Sequence, residues 1–205
     1  MTTADVINSF IEKIALEIDW KYLKSQRCIK KTLGKLVFEI DFFLSKWNTV
    51  NNIIEINADF SVWTKEYDKT CNINSIVCSL SYRNGDKYWF DITTSDSQCE
   101  TYKTIIAQIK DTALLLYGQF EADRESAVGM LLDEAYFHPY HVFLDFIADN
   151  LRVEFVHEIA KKEYEGYSDE LKQEIEKYRS GEKINKAWSL NRSNVKYIAD
   201  HGQMR

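Results

Sequence analysis

Four side chains that commonly bind metals recur at helical spacing in the second half of the chain. Glu134, His138, His141 and Asp145 are four, three and four residues apart, so one unbroken helix would align them on one face. Such a stripe offers metal coordination or acid–base catalysis. Pro139 opposes it, because a proline ring clashes with the preceding turn of a helix. A metal site on His138, His141 and Asp145 is therefore the less favoured hypothesis.

A second pair, Glu154 and His157, has the Glu-x-x-His spacing of di-iron helix bundles. Such a centre needs two copies of the motif and two further glutamates, whereas one copy is present here. The sequence also contains no nucleophile elbow and no glycine-rich phosphate loop. We expect no cofactor. An enzyme or small-ligand protein that uses the histidines and nearby carboxylates of the C-terminal helices is the alternative hypothesis for function.

The most regular pattern covers residues 36–63, where two segments alternate apolar and polar side chains. This period of two predicts a hairpin of half-buried strands. One face is apolar. The other, which we call the polar face, mixes carboxylates with large aromatic rings. The predicted binding residues on this face are Glu39, Asp41, Phe43, Glu55, Asp59, Trp63 and Trp89.

Pairing the two strands symmetrically about Thr49 predicts Glu39 opposite Asp59, Asp41 opposite Asn57, and Phe43 opposite Glu55. Like charges directly opposite each other are destabilising, and a cation from a partner would relieve the repulsion. Exposed aromatics among charges are also typical of an interface centre. Two other interpretations are that the polar face is simply solvated, or that the C-terminal helices cover it.

The charge balance indicates what kind of partner this face would bind. The formal net charge is −6 and the isoelectric point is near 5.3, which disfavours nucleic acid and favours a basic protein. The predicted function is a non-enzymatic binding protein, for example a bacterial immunity-type protein that neutralises a basic toxin. The basic segment 183–205, with Trp188 and Tyr197, is interpreted as a solvated final helix.

The elements that position these residues follow from periodicity. Helical spacing predicts a first helix over 3–24 and a long helix from about 96 to 120, followed by further helices to about residue 180. Strands are predicted at 28–33, in the central hairpin, and on both sides of the Asn84-Gly85 turn. The fold class is therefore α+β. We expect a five-stranded antiparallel meander packed on the first and the long helix, with an appended C-terminal helical layer.

We expect one domain, with its sheet part at about 1–95 and its helical part at about 96–205. No stretch has the pattern of a signal peptide or the length of a membrane span. A cytoplasmic location is therefore predicted, and in that reducing compartment the four cysteines should be free thiols. Because they have no paired C-x-x-C spacing, a structural zinc site is not expected.

Overall fold

The computed structural model describes residues 2–48, 53–65, 76–83, 86–132, 140–142, 144–148, 153–182 and 194–201. Its elements begin with α1 (Thr3–Ile18), β1 (Lys21–Leu23), β2 (Cys28–Leu33), β3 (Leu36–Leu44), β4 (Glu55–Thr64), β5 (Ile76–Ser79), β6 (Tyr82–Arg83), β7 (Asp86–Lys87) and β8 (Phe90–Asp91). They continue with α2 (Ser95–Ile109), a π-helical turn (Lys110–Leu114), α3 (Leu115–Ala122), α4 (Arg124–Leu132), β9 (Tyr140–Val142), α5 (Leu144–Ala148), α6 (Val153–Glu165), α7 (Asp169–Arg179) and α8 (Asn194–His201). The predicted α+β class is confirmed.

Among the described residues, seven strands form one antiparallel sheet. Strands β1 to β5 lie in chain order, as a meander, and β9 pairs with β5 at the far edge. The second hairpin differs from the prediction. Strand β8 pairs with the beginning of β4, while β6 and β7 form a separate two-stranded ribbon. The chain therefore leaves the edge of β4 after β5 and returns to the same edge at β8.

The register of the central hairpin is two residues away from the predicted one. Glu39 lies opposite Ser61, Asp41 opposite Asp59, and Phe43 opposite Asn57. The cause is Asn48, whose side chain closes the loop: its Nδ2 donates to the Glu55 carbonyl at 2.7 Å, and its Oδ1 accepts from the Glu55 N–H at 2.8 Å. Because the difference is an even number of residues, every side chain keeps its predicted face.

The apolar face of β3 and β4 is packed against α1 and the helical path of α2, the π-helical turn and α3. Phe38 is at the centre, with ring centroids 5.1 Å from Tyr117, 5.7 Å from Phe120 and 6.3 Å from Trp20. The predicted stripe on the long helix includes Ile105, Ile109, Ala113, Leu116 and Phe120, all of which are buried. The long helix is therefore confirmed, with one π turn in its middle.

Capping residues and backbone conformation set the ends of the helices. Thr2 and Asp5 form a reciprocal capping box on α1. The helix ends at Ile18 and not near residue 24, since Asp19 takes a left-handed conformation (φ 54°) that stops it. Ser168 caps α7, where its side chain accepts from the Leu171 N–H.

The C-terminal helices are joined by side-chain hydrogen bonds. Glu163 accepts from Asn194 at 2.9 Å, and Asn194 accepts from the Leu144 N–H at 2.8 Å. Their buried apolar residues belong to the same contiguous hydrophobic cluster as the sheet. Among the described helices, none is both long and apolar enough to cross a membrane.

Candidate functional site: the two ends of the polar face

The strand pairings arrange the polar face in rows of side chains. One row runs from Lys30 on β2 through Glu39 on β3 to Ser61 on β4, and another runs from Cys28 through Asp41 to Asp59. Side chains in one row on one face are about 5 Å apart at Cβ. The polar face therefore brings together most of its predicted residues, and β2 adds a lysine and a cysteine to them.

One end of the polar face is closed around Glu39, which is 8% exposed. Its Oε1 lies 2.9 Å from the Lys30 Nζ, and its Oε2 accepts from the Trp63 indole Nε1 at 2.6 Å. The Lys30 ammonium also lies 5.3 Å from the Trp63 ring centroid. Glu39 and Trp63, both predicted to meet a partner, are therefore engaged with each other and with Lys30. That prediction did not include an internal cation.

Two further groups adjoin this carboxylate, and the pKa of each is raised. Burial, followed by the negative charge of Glu39, raises the pKa of Asp41 to about 7. Burial, followed by interaction with Glu39, raises the pKa of the Cys28 thiol to about 12. We call Cys28, Lys30, Glu39, Asp41 and Trp63 the Glu39 network.

The Glu39 network contains donor atoms that could converge on a cation. One ligand atom from each of Cys28, Glu39 and Asp41 lies within 4.8 Å of the other two. However, Lys30 occupies one Glu39 oxygen and Trp63 the other. A metal ion would have to displace both contacts, so the arrangement favours an internally neutralised polar network over a metal centre.

The other end of the polar face is open and aromatic. Phe43 is 48% exposed and Trp89 is 43% exposed. Phe43 is paired with Asn57 on one side of β4. On the other side, β8 pairs Glu55 with Asp91 and Ile56 with Phe90, and the Tyr88 carbonyl accepts from the Asn57 Nδ2, so the chain around Trp89 runs beside Asn57. We call Phe43, Asn57 and Trp89 the aromatic notch.

Asn57 is the floor of the aromatic notch and is 2% exposed. Its Nδ2 donates to the Tyr88 carbonyl at 3.4 Å, whereas its Oδ1 is enclosed without a hydrogen-bond partner. An enclosed acceptor without a donor is costly, and such exceptions call for an explanation. Glu55 and Asp59, both half-buried, stand two residues to either side on the same strand. The notch thus combines two rings, one unused acceptor and two nearby carboxylates.

The described residues of the predicted histidine sites lie on different elements. His141 lies in β9, in register with Val77, and Asp145 lies in α5. The predicted helix containing both is wrong, because residues 140–142 pair with β5 as a strand. Glu134 and His138 lie outside the described residues. The second pair is on α6, where Glu154 is exposed and His157 half-buried.

Sequence reasoning missed Lys30, Cys28 and Asn57. A signal for the first two was present in the β2–β3 hairpin. Leu33 pairs with Leu36 across the two-residue turn at Gly34, which has φ +58°. Counting back from that turn sets Lys30 opposite Glu39. The role of Asn57 depends on β8, whose pairing has no comparable local signal.

Comparison with known proteins gives no further guide to this site. No family model, curated protein or solved structure matches the chain.

Proposed function

We propose that this protein is a non-enzymatic binding protein that captures a basic protein partner through the open end of its polar face. The observation that carries the proposal is the aromatic notch, in which two exposed rings flank Asn57, with Glu55 and Asp59 two residues away on the same strand. Large rings that are already exposed add contact area at low entropic cost and are frequent interface anchors. The nearby carboxylates and the net charge of −6 favour a cationic surface.

The closed end of the polar face would not supply the attraction for the partner's cations. Glu39 is occupied by Lys30, so it is unavailable to a partner's cation. Glu55, next to the notch on β4, would provide the attraction instead. One concrete form of the proposal is an immunity-type protein that neutralises a basic toxin. A cytoplasmic location remains a prediction.

The test is affinity capture from source-cell lysate, followed by purification of the captured protein and calorimetric titration with it. The double variant Trp89→Ser/Glu55→Lys should lose at least tenfold in affinity for the purified partner. The matched control is Phe155→Ser/Glu158→Lys on α6, since Phe155 is also 43% exposed and Glu158 is exposed.

Binding by the wild-type protein should weaken as salt is raised, because exposed charges are screened. Equal affinities of both double variants for the purified partner, or a captured partner with an acidic surface, would refute the proposal. Circular dichroism must show that both variants are folded as the wild type is.

A further inference from the structure

We infer that the aromatic notch is built to receive one arginine side chain of the partner, stacked between Phe43 and Trp89 and hydrogen-bonded to the floor of the notch. This inference rests on the proposed function and specifies its anchor. Its basis is the coincidence of two exposed rings, one enclosed acceptor and two carboxylates on adjacent strands.

The spacing of the sheet sets the width of the notch. Neighbouring strands are about 4.8 Å apart, so the backbones of Phe43 and Trp89, on opposite sides of β4, are separated by about 10 Å. A planar group held at van der Waals distance from two ring faces needs those rings about 7 Å apart. Side chains leaning inward from backbones about 10 Å apart can meet this distance. The strand spacing is therefore compatible with one flat group held between the two rings.

The floor of the notch selects a hydrogen-bond donor. Asn57 already uses its Nδ2 on the Tyr88 carbonyl, so the group that remains is the acceptor Oδ1. This oxygen is enclosed, so a donor reaches it only after the side chains that cover it move aside. Exposed side chains change rotamer within nanoseconds, so such opening is fast. A bound donor would remove the cost of the unpaired acceptor.

Charge and shape together distinguish arginine from lysine. Glu55 and Asp59 are each about 7 Å along β4 from Asn57, within reach of the same cation. A guanidinium can stack on a ring while donating in its plane to an amide oxygen and a carboxylate. A lysine ammonium is compact and strongly hydrated, and it cannot fill a flat slot.

Another exposed tryptophan of this chain already contacts a cation, but through a single ring. Lys46 lies 4.9 Å from the ring centroid of Trp47, an exposed side chain in the loop after β3. That contact consists of one ammonium and one ring. The aromatic notch offers two rings and an acceptor, which is why we assign arginine to the notch and not to Trp47.

The experiment uses the full-length, isotope-labelled protein and three peptides of the form acetyl-Gly-Gly-X-Gly-Gly-amide, in which X is arginine, lysine or citrulline. Citrulline keeps the size and planarity of arginine without its charge. Nuclear magnetic resonance would follow the side-chain amide of Asn57 and the indole of Trp89. The arginine peptide should shift both signals with an affinity about tenfold higher than that of the lysine peptide. The citrulline peptide should bind more weakly than the arginine peptide.

Variants that remove a ring but keep bulk complete the test. Phe43→Leu and Trp89→Leu should each reduce arginine-peptide affinity about fivefold, read at Asn57. Phe155→Leu, on α6 and equally exposed, should leave it unchanged. Equal binding of lysine and arginine peptides, or no effect of the ring variants, would overturn the inference and leave the proposed function standing. If no cationic peptide shifts either signal, both fall.

Discussion

Asp41→Asn should change how stability depends on pH, because Asp41 holds its proton more firmly in the folded protein than in the unfolded chain. Its pKa is raised from 3.8 to about 7 by burial and by the charge of Glu39. As the pH rises from about 4 to about 7, the unfolded chain releases this proton while the folded protein retains it. The free energy of unfolding of the wild type therefore falls through this window and levels off above it.

The size of the effect follows from the same interval. At about 1.4 kcal/mol for each pH unit, the distance from 3.8 to about 7 sets a ceiling of about 4 kcal/mol. Asp41 is half-buried, so solvent screening reduces the expected effect to about 2 kcal/mol. Asparagine keeps the shape of the side chain and has no charge to lose. Its advantage over the wild type should grow by about 2 kcal/mol between pH 4.5 and pH 8.5.

The assay is urea unfolding of both proteins at several pH values, in reducing buffer with a chelator, monitored by fluorescence and circular dichroism. With a slope of about 2 kcal/mol per molar urea, the difference between the two unfolding midpoints should grow by about 1 M urea. Glu100→Gln, which neutralises an exposed carboxylate on α2, is the control and should run parallel to the wild type. A constant difference between Asp41→Asn and wild type across the whole range would refute the reasoning.

Three further predictions test other parts of the architecture. Lys30→Met leaves the carboxylate of Glu39 without its cation and should lower the free energy of unfolding in urea by about 3 kcal/mol. Lys31→Met, at an exposed ion pair, should lower it by less than about 1 kcal/mol, and equal losses would contradict the Glu39 network. Thr2→Ala should destabilise α1 by about 1 kcal/mol and speed amide exchange in its first turn; unchanged exchange would contradict a capping role. Phe38→Ala should lower stability by about 3–5 kcal/mol in thermal unfolding; a loss below about 1 kcal/mol would show that Phe38 is not central to the core.

The faces of the sheet could be predicted because a strand has a period of two. A shift of the strand register by an even number of residues leaves the same residues of β3 and β4 on the polar face. The register itself was wrong by two residues, since it depends on how Asn48 binds the backbone of Glu55. A loop closed by a side chain leaves no periodic signal in the sequence.

The accessibility of the polar face could not be predicted from the central hairpin alone. The pattern there shows an acidic aromatic surface, but Lys30 on β2 neutralises Glu39 and closes one end. Strand β9 was missed for a related reason. It has three residues, and its partner β5 lies about sixty residues earlier in the chain, so its pairing is non-local. Local propensity after Pro139 favoured a helix instead.

The placement of the shortest strands bears on how the protein behaves at high concentration. The two longest strands, β3 and β4, are paired on both sides, whereas the outermost strands of the described sheet, β1 and β9, have three residues each. An edge this short offers few free backbone groups to a second molecule, and β1 begins with a lysine, whose charge repels another edge of the same kind. The hydrophobic strands are thus kept away from edge-to-edge aggregation.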